Sequence, residues 1–397
     1  MATVDRADIL NYGNLVETAI RIRQDLHRHP EIAFEEVRTS EVVATRLAEL
    51  GIEVDRGLGK TGVVGTLKGK RNGNRTVGLR ADMDALFIEE KTGLPYQATV
   101  PGKMHACGHD GHAAMLLGAA EYLSQNPDFS GTVQFIFQPA EEGHGGAKVM
   151  IEDGLFDRFP CDAVYGMHNM PGIKIGNFEI CEGPMMAAAD TWEVILSGTG
   201  GHGAMPQKGT DPTMALAGFL SSVSTIVARN LAPTDSAVVS IGHVSAGDWG
   251  APNIIPSKVV IRGTARSYTP EARDMLENRI GELAHSCAQA HRCEAELIYT
   301  RRYPPMVNHK REVDVAVKAA RQTSSDATVD TEMTPLSGSE DFAFFLEMVP
   351  GAYICMGNGD SDDHHFLHTP LYDFDDRAIP HGVAYWVNVA LEELGHD

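Results

Sequence analysis

Four short segments of the chain gather side chains able to bind a metal or move a proton: MHACGHDGH (Met104–His112), QPAEEG (Gln138–Gly143), YGMHN (Tyr165–Asn169) and HHFLHTP (His364–Pro370). Each offers a Cys, His or Glu, and each falls at the expected end of a strand. Open α/β sheets bind their ligands at the carboxyl ends of strands. One such histidine alone would mean little, because most isolated histidines serve structure. Four segments delivering donors to one sheet edge are the form expected of a metal site assembled by tertiary structure.

The elements that must position these segments are legible from periodicity. Helical spacing runs from Asn14 to His29, stopped by Pro30, and from Glu35 to Leu50, with Gly51 as a C-terminal cap. β-rich runs follow at Thr61–Leu67 and Arg75–Ala81, then a helix from Gly111 to Gln125 and the apolar strand in GTVQFIFQPAEE. This alternation predicts an α/β fold with a mixed, largely parallel sheet and helices on both faces. After Gly183-Pro184 the order changes to strand (TWEVILSG), helix (Pro212–Asn230), two strands (SAVVSIGHVSAG, KVVIRGTARSY), helix (Pro270–His291) and strand (CEAELIY). That βαββαβ order is the ferredoxin-like unit. The expected organisation is therefore a discontinuous catalytic domain, 1–184 and 300–397, with an inserted α+β domain, 185–299.

Composition narrows the function. Of 397 residues, 33 are Lys or Arg and 54 are Asp or Glu, a net charge of −21 with no long basic run. Nucleic acid is thus not an expected partner. No stretch approaches the length of a membrane span and the first residues do not resemble a signal peptide, so a cytoplasmic protein is expected. The six cysteines form no disulfide framework. Gly198, Gly200 and Gly203 satisfy G-x-G-x-x-G, but AMPQKGTDP separates them from the next helix, so no helix N-terminus is available for a pyrophosphate. Gly59-Lys60-Thr61 lacks the upstream glycine of a P-loop, since Val54 stands there.

Taken together and in order, CGHDGH, PAEEG, GMHN, GGHGA, PNIIP and LHTP resemble the M20 metallopeptidase family, in its aminoacylase-like amidohydrolase branch, which includes hippurate and auxin-conjugate hydrolases. The resemblance covers almost the whole chain. It implies two divalent metals held by Cys107, His109, Glu142, His168 and His368. Two-metal hydrolytic sites hold their ions ~3.5–4 Å apart, a gap that one bridging ligand spans. A thiolate among the donors favours manganese, zinc, cobalt or nickel over calcium or magnesium.

Adjacent side chains diverge on an extended backbone, so Glu142 is expected to bind metal while Glu141 faces the substrate-side water as general base. Asp82 is expected to orient a ligand. Distant family members have a His two residues before that aspartate, where this chain has Arg80. Asp110 reads as a cap of the helix that follows it at least as readily as a metal residue, and it and His112 are left out of the ligand set. The resemblance assigns His202 to the oxyanion and Asn253 and Arg262 to the substrate carboxylate. Structural roles for the last two, a turn before Pro256 and a pairing on a sheet face, stay open. Ser337–Asp341 reads as a helix cap, and Phe342, Phe344 and Phe345 read as core. The implied function is hydrolysis of an N-acyl amino acid by a homodimer or homotetramer whose inserted domain serves as lid and dimerisation surface. A dipeptidase or carboxypeptidase and an N-acetyldiaminopimelate deacetylase would use the same metal chemistry. A non-catalytic metal-binding protein would lack a base or ligand, and neither is missing.

Overall fold

The computed structural model describes residues 3–360 and 365–395, and the chain divides into two units. The larger holds residues 1–185, 307–334 and 341–397; the smaller holds residues 186–306 and 335–340.

In the larger unit eight strands lie side by side in the order Glu53–Leu58, Gly62–Lys68, Ser130–Gln138, Arg71–Asp82, Ala163–Met170, Gly351–Gly357, Phe178–Glu179, Val329–Asp330. The four from Ser130–Gln138 to Gly351–Gly357 are mutually parallel. Antiparallel neighbours flank them on each side. Parallel strands are covered on both faces and read as continuous apolar runs, and Gly351–Gly357 is buried at every residue. Register places Asp82 beside Gln138 and His168 beside Cys355, so the candidate segments leave the sheet from one end.

Helices Leu15–Arg28, Val37–Glu49 and His109–Gln125 form where the periodicity places them, and helix Ile379–Leu394 closes the unit. Gly51, at φ 73, takes the left-handed position after the second. The third begins at His109 rather than Gly111, because Gly108, at φ 92, turns the chain into it. It is buried nearly all round, packed on strand Arg71–Asp82 and against helices Leu15–Arg28 and Ile379–Leu394. His109 and His112 are therefore fixed by a core helix, not by a loop.

In the smaller unit four antiparallel strands lie in the order Ala237–Ala246, Lys258–Ser267, Ala188–Ser197, Glu294–Tyr303. By sequence that is 2-3-1-4, the ferredoxin-like order. One sheet face buries Trp192, Val194, Leu196, Val259 and Ile261 with Phe219, Leu276 and Ile280 of the helices. The helix expected over Pro212–Asn230 is two, Pro212–Val223 and Thr225–Asn230, meeting at Ser224. The unit extends beyond residue 299 because its last strand stays paired up to Tyr303, opposite Ala189. Residues 335–340 rejoin it through Ala187, whose N–H is shared by the carbonyls of Leu336 and Gly338. The glycine-rich GTGGHGAMP contains a two-residue strand, Gly201–His202, paired with Ile254–Ile255.

Candidate active site

At the carboxyl end of the parallel strands the larger unit brings Cys107, His109, Glu142, His168 and His368 together. Cys107 Sγ lies 3.3 Å from Nε2 of both His168 and His368. Nε2 of His368 is 3.1 Å from Glu142 Oε1, and Nε2 of His109 is 4.0 Å from the same oxygen. Two donor groups result, Cys107–His109–His168 and Cys107–Glu142–His368, and they share the thiol. His364, in the same late segment, lies outside the described residues.

Each ligand is aimed by its backbone and by hydrogen bonds behind it. Nδ1 of His109 donates to the Asp84 carbonyl at 2.9 Å, and Nδ1 of His168 donates to the Asn169 carbonyl at 2.6 Å. Both bonds commit the proton to Nδ1 and leave the Nε2 lone pair facing the cluster, the usual arrangement behind a metal-binding imidazole. His368 adopts φ 62, and its N–H donates to the Ala106 carbonyl at 2.8 Å, which sets it beside Cys107. Gly108 is obligatory, since a Cβ there would sit 2.2 Å from Asn169 Nδ2. Asn169 in turn donates to the Cys107 carbonyl at 2.6 Å and accepts from the Tyr372 hydroxyl at 2.6 Å.

His112 does not join the donors. The Asn169 N–H donates to its Nε2 at 3.0 Å, so Nδ1 carries the proton and donates to Asp82 Oδ1 at 2.6 Å. Asp82 also pairs with Arg80, 2.9 Å from Oδ2, and lies 3.7 Å from His109 Nε2. Arg80 reaches onward to Asp341 at 3.2 Å and donates from Nε to Gln138 Oε1 at 2.8 Å. A guanidinium thus stands buried between the Asp82 and Asp341 carboxylates.

Three expectations need correction. Glu141 and Glu142 begin a short helical turn instead of an extended segment, with Glu142 at φ −69, ψ 75 and Gly143 at φ 80. Their carboxylates converge on His109 instead of diverging, because the turn folds both toward the sheet end. Asp110 does not cap its helix: its side chain is buried against His27 Nδ1 at 2.8 Å and Arg23 Nη1 at 3.8 Å, and Gly108 holds the cap position. Asp341 is not a cap either; it accepts from Gln138 and the Ala147 N–H, while Phe342 starts the helix Ala343–Met348. Phe342 and Phe345 are core residues as read, and Phe344 is half-buried.

The electrostatics favour a cation. Burial, then Glu142, Glu141 and Asp82, push the Cys107 thiol well above its ordinary value, so a thiolate forms here only when positive charge arrives with it. Burial opposes protonation of His109, but Asp82, Asp84 and Glu142 outweigh it and carry the group to about 10, so without a cation Nε2 also holds a proton, which a bound metal would displace to use the lone pair. Burial, then the neighbouring His112, keeps His168 neutral, well below the usual imidazole range. His109 Nε2 is buried without a hydrogen-bond partner. A soft and borderline donor set with an unpartnered imidazole nitrogen and excess negative charge fits divalent transition metals.

On the smaller unit, His202 is exposed and its Nδ1 accepts the Ala204 N–H at 3.1 Å, which leaves Nε2 as a donor toward solvent. Asn253 is its neighbour, its carbonyl accepting the Gly203 N–H at 2.7 Å. Arg262 is exposed on strand Lys258–Ser267 and paired with Glu193 at 3.2 Å.

Sequence reasoning left Arg80, Asp84 and Asn169 without roles and read Asp341 only as part of a helix cap. A signal existed for the first two: Arg80, Asp82 and Asp84 alternate at period two and so share a face. No local signal marks Asp341, which reaches Arg80 across 261 positions.

Residues 78–392 match the peptidase family M20/M25/M40. A hippurate hydrolase of Campylobacter jejuni is 42% identical over 375 residues, covering 94% of this chain and 96% of that protein. An N-acetylcysteine deacetylase of Bacillus subtilis is 38% identical, covering 94% and 96%. Among solved structures, a dinuclear metal-binding peptidase of the M20 family from Bacillus subtilis aligns with a TM-score of 0.83 at 34% identity, covering 96% of this chain and 98% of that one.

Proposed function

Since the chain belongs to peptidase family M20/M25/M40, we propose that it is a two-metal amidohydrolase that cleaves N-acyl amino acids to a carboxylate and a free amino acid. The observation that carries this reading is the convergence of two donor groups on one shared thiol, with the Glu141 carboxylate on the same side. Relatives named for hippurate and for N-acetylcysteine point to the substrate class.

Cys107, His109, Glu142, His168 and His368 would hold manganese, zinc, cobalt or nickel. Bound there, the ions supply Lewis acidity toward the amide carbonyl and acidify water. Glu141 then takes the proton of the attacking water and returns it to the leaving nitrogen. Its carboxylate is buried and oriented by the Asp341 N–H at 3.4 Å. His202, with its Nε2–H outward, donates to the developing oxyanion. Asn253 and Arg262 receive the substrate carboxylate; the exposed Arg262–Glu193 pair is weak enough to exchange partners.

We also assign lid and self-association roles to the smaller unit, which exposes Met205, Met214, Leu220, Val238, Val244, Trp249, Ile254 and Ile298. Its dimer or tetramer would work in the cytoplasm, in keeping with six free cysteines.

The test is hydrolysis of hippurate, N-acetylmethionine, an N-acetylated diaminopimelate and a dipeptide by chelator-stripped protein, with and without each of the four metals. Metal-dependent release of amino acid from the acylated substrates is the expected result. Cleavage confined to the dipeptide replaces this reading with a peptidase, and silence with every metal rejects it.

A further inference from the structure

Glu36 takes no part in the chemistry above, yet it is fully buried behind the turn that carries Glu141. Its Oε1 accepts the backbone N–H of Phe34 at 3.0 Å and of Ala140 at 2.9 Å, and its Oε2 accepts the Thr61 hydroxyl at 2.6 Å. Phe34 (φ 63) and Ala140 (φ 56) are both left-handed, and Lys60 (φ 70), the neighbour of Thr61, is a third. Among the described residues only Arg292 and His368 otherwise share this conformation without being glycine. Three of the five strained positions thus surround one carboxylate. A left-handed residue with a Cβ is unfavourable and persists only where its surroundings over-determine it.

Ala140 leads directly into the base and the ligand. Its carbonyl accepts the Gly146 N–H at 3.0 Å, closing the turn, and on the far side Asp84 Oδ2 accepts the Glu142 N–H at 2.9 Å. The backbone that bears Glu141 and Glu142 is therefore pinned at alternate amides by two buried carboxylates. Were Ala140 to relax to negative φ, the Cα–Cβ direction of Glu141 would rotate away from the donors while Asp84 still held Glu142.

We propose that Glu36 is a positioning residue, which by taking the Ala140 N–H holds the left-handed turn that aims Glu141 at the metal-binding cluster. This rests on the amidohydrolase reading above. Burial raises the Glu36 carboxyl to about 7, so a neutral side chain resembles one of its natural states. A glutamine there keeps one oxygen for both N–H groups and turns its amide toward the Thr61 hydroxyl oxygen.

The experiment compares Glu36→Gln, Glu36→Ala and Glu36→Asp with the parent in the metal-loaded full chain. It reads kcat and KM on the best N-acyl substrate, metal content, and hydrogen exchange across residues 139–147. Glutamine should stay within about threefold of the parent. Alanine and aspartate should lose about 10- to 100-fold in kcat, the scale of a roughly 1 Å misplacement, with KM and metal content unchanged and faster exchange confined to that segment. Unchanged kcat in the alanine variant, a loss shared equally by glutamine, or exchange rising uniformly along the chain overturns the proposal. If the alanine variant does not fold, the aspartate variant decides by the same criteria. If the parent hydrolyses nothing, the amidohydrolase reading fails separately, and local exchange decides alone: acceleration with aspartate but not glutamine supports the clamp, and none refutes it.

Discussion

Arg80→Met removes a guanidinium that is fully buried between two carboxylates, 2.9 Å from Asp82 and 3.2 Å from Asp341, and that also serves Gln138 at 2.8 Å. Methionine replaces most of the stem's volume, so the loss is electrostatic and not a cavity. Breaking a buried pair by deleting one partner costs about 3–5 kcal/mol, because the charge left behind stays in low dielectric. Since Arg80 neutralises two carboxylates, the upper half of that range applies. Domain stabilities are about 5–15 kcal/mol in total. For large domains each kcal/mol moves Tm by about 2–4 °C, so a fall of about 10–15 °C is expected. The assay is thermal unfolding at pH 7 after chelation, which prevents metal binding from masking the change. Adding Asp341→Asn removes one stranded charge and should recover a third or more of the loss. A single variant within 2–3 °C of the parent would refute the reasoning, since the two acids would then need no cation.

Glu141→Gln should keep its metals and lose about 10²-fold or more in kcat, since general-base catalysis contributes about 10²–10⁴; near-parental turnover with full metal content would assign the base elsewhere. His27 is buried between Asp110 at 2.8 Å and Glu90 at 3.4 Å, and although burial opposes it, these carboxylates carry its pKa to about 9. A pKa raised above its unfolded value of about 6.5 stabilises fully below that pH and is lost as pH rises through about 9, a contribution of about 3 kcal/mol. Urea midpoints should therefore fall between pH 6.5 and 9.5 in the parent, and His27→Gln should lack that part of the slope; an identical slope in both would exclude the pair as its source.

Much of the fold was legible because periodicity is local. Helix Leu15–Arg28, strand Gly62–Lys68 and the βαββαβ run of the smaller unit each follow from their own apolar spacing. Strand Glu53–Leu58 escaped because it is a mostly exposed edge with little apolar alternation. Helix Arg6–Leu10 escaped because it is short, although Asp5 and Asp8 form a reciprocal cap at its start. The site was less legible. Asp110 carries the marks of a capping residue, and only the approach of His27, 83 positions away, shows it to be half of a buried ion pair.

The chain by itself determined which donors exist and that the PAEEG and GMHN donors fall at strand ends, because residue type and spacing are local properties. It also determined the family, through the ordered set of short motifs. Only the tertiary structure decided that Cys107 meets His168 and His368, that Nδ1 of His109 and His168 is occupied from behind, and that Glu141 and Glu142 converge. Those facts depend on backbone angles and on contacts between residues up to 261 positions apart, which no local pattern encodes. The strained turn at Ala140 belongs with them. Its φ is set by a carboxylate 104 positions earlier in the chain, and a sequence shows neither the angle nor the hydrogen bond that holds it.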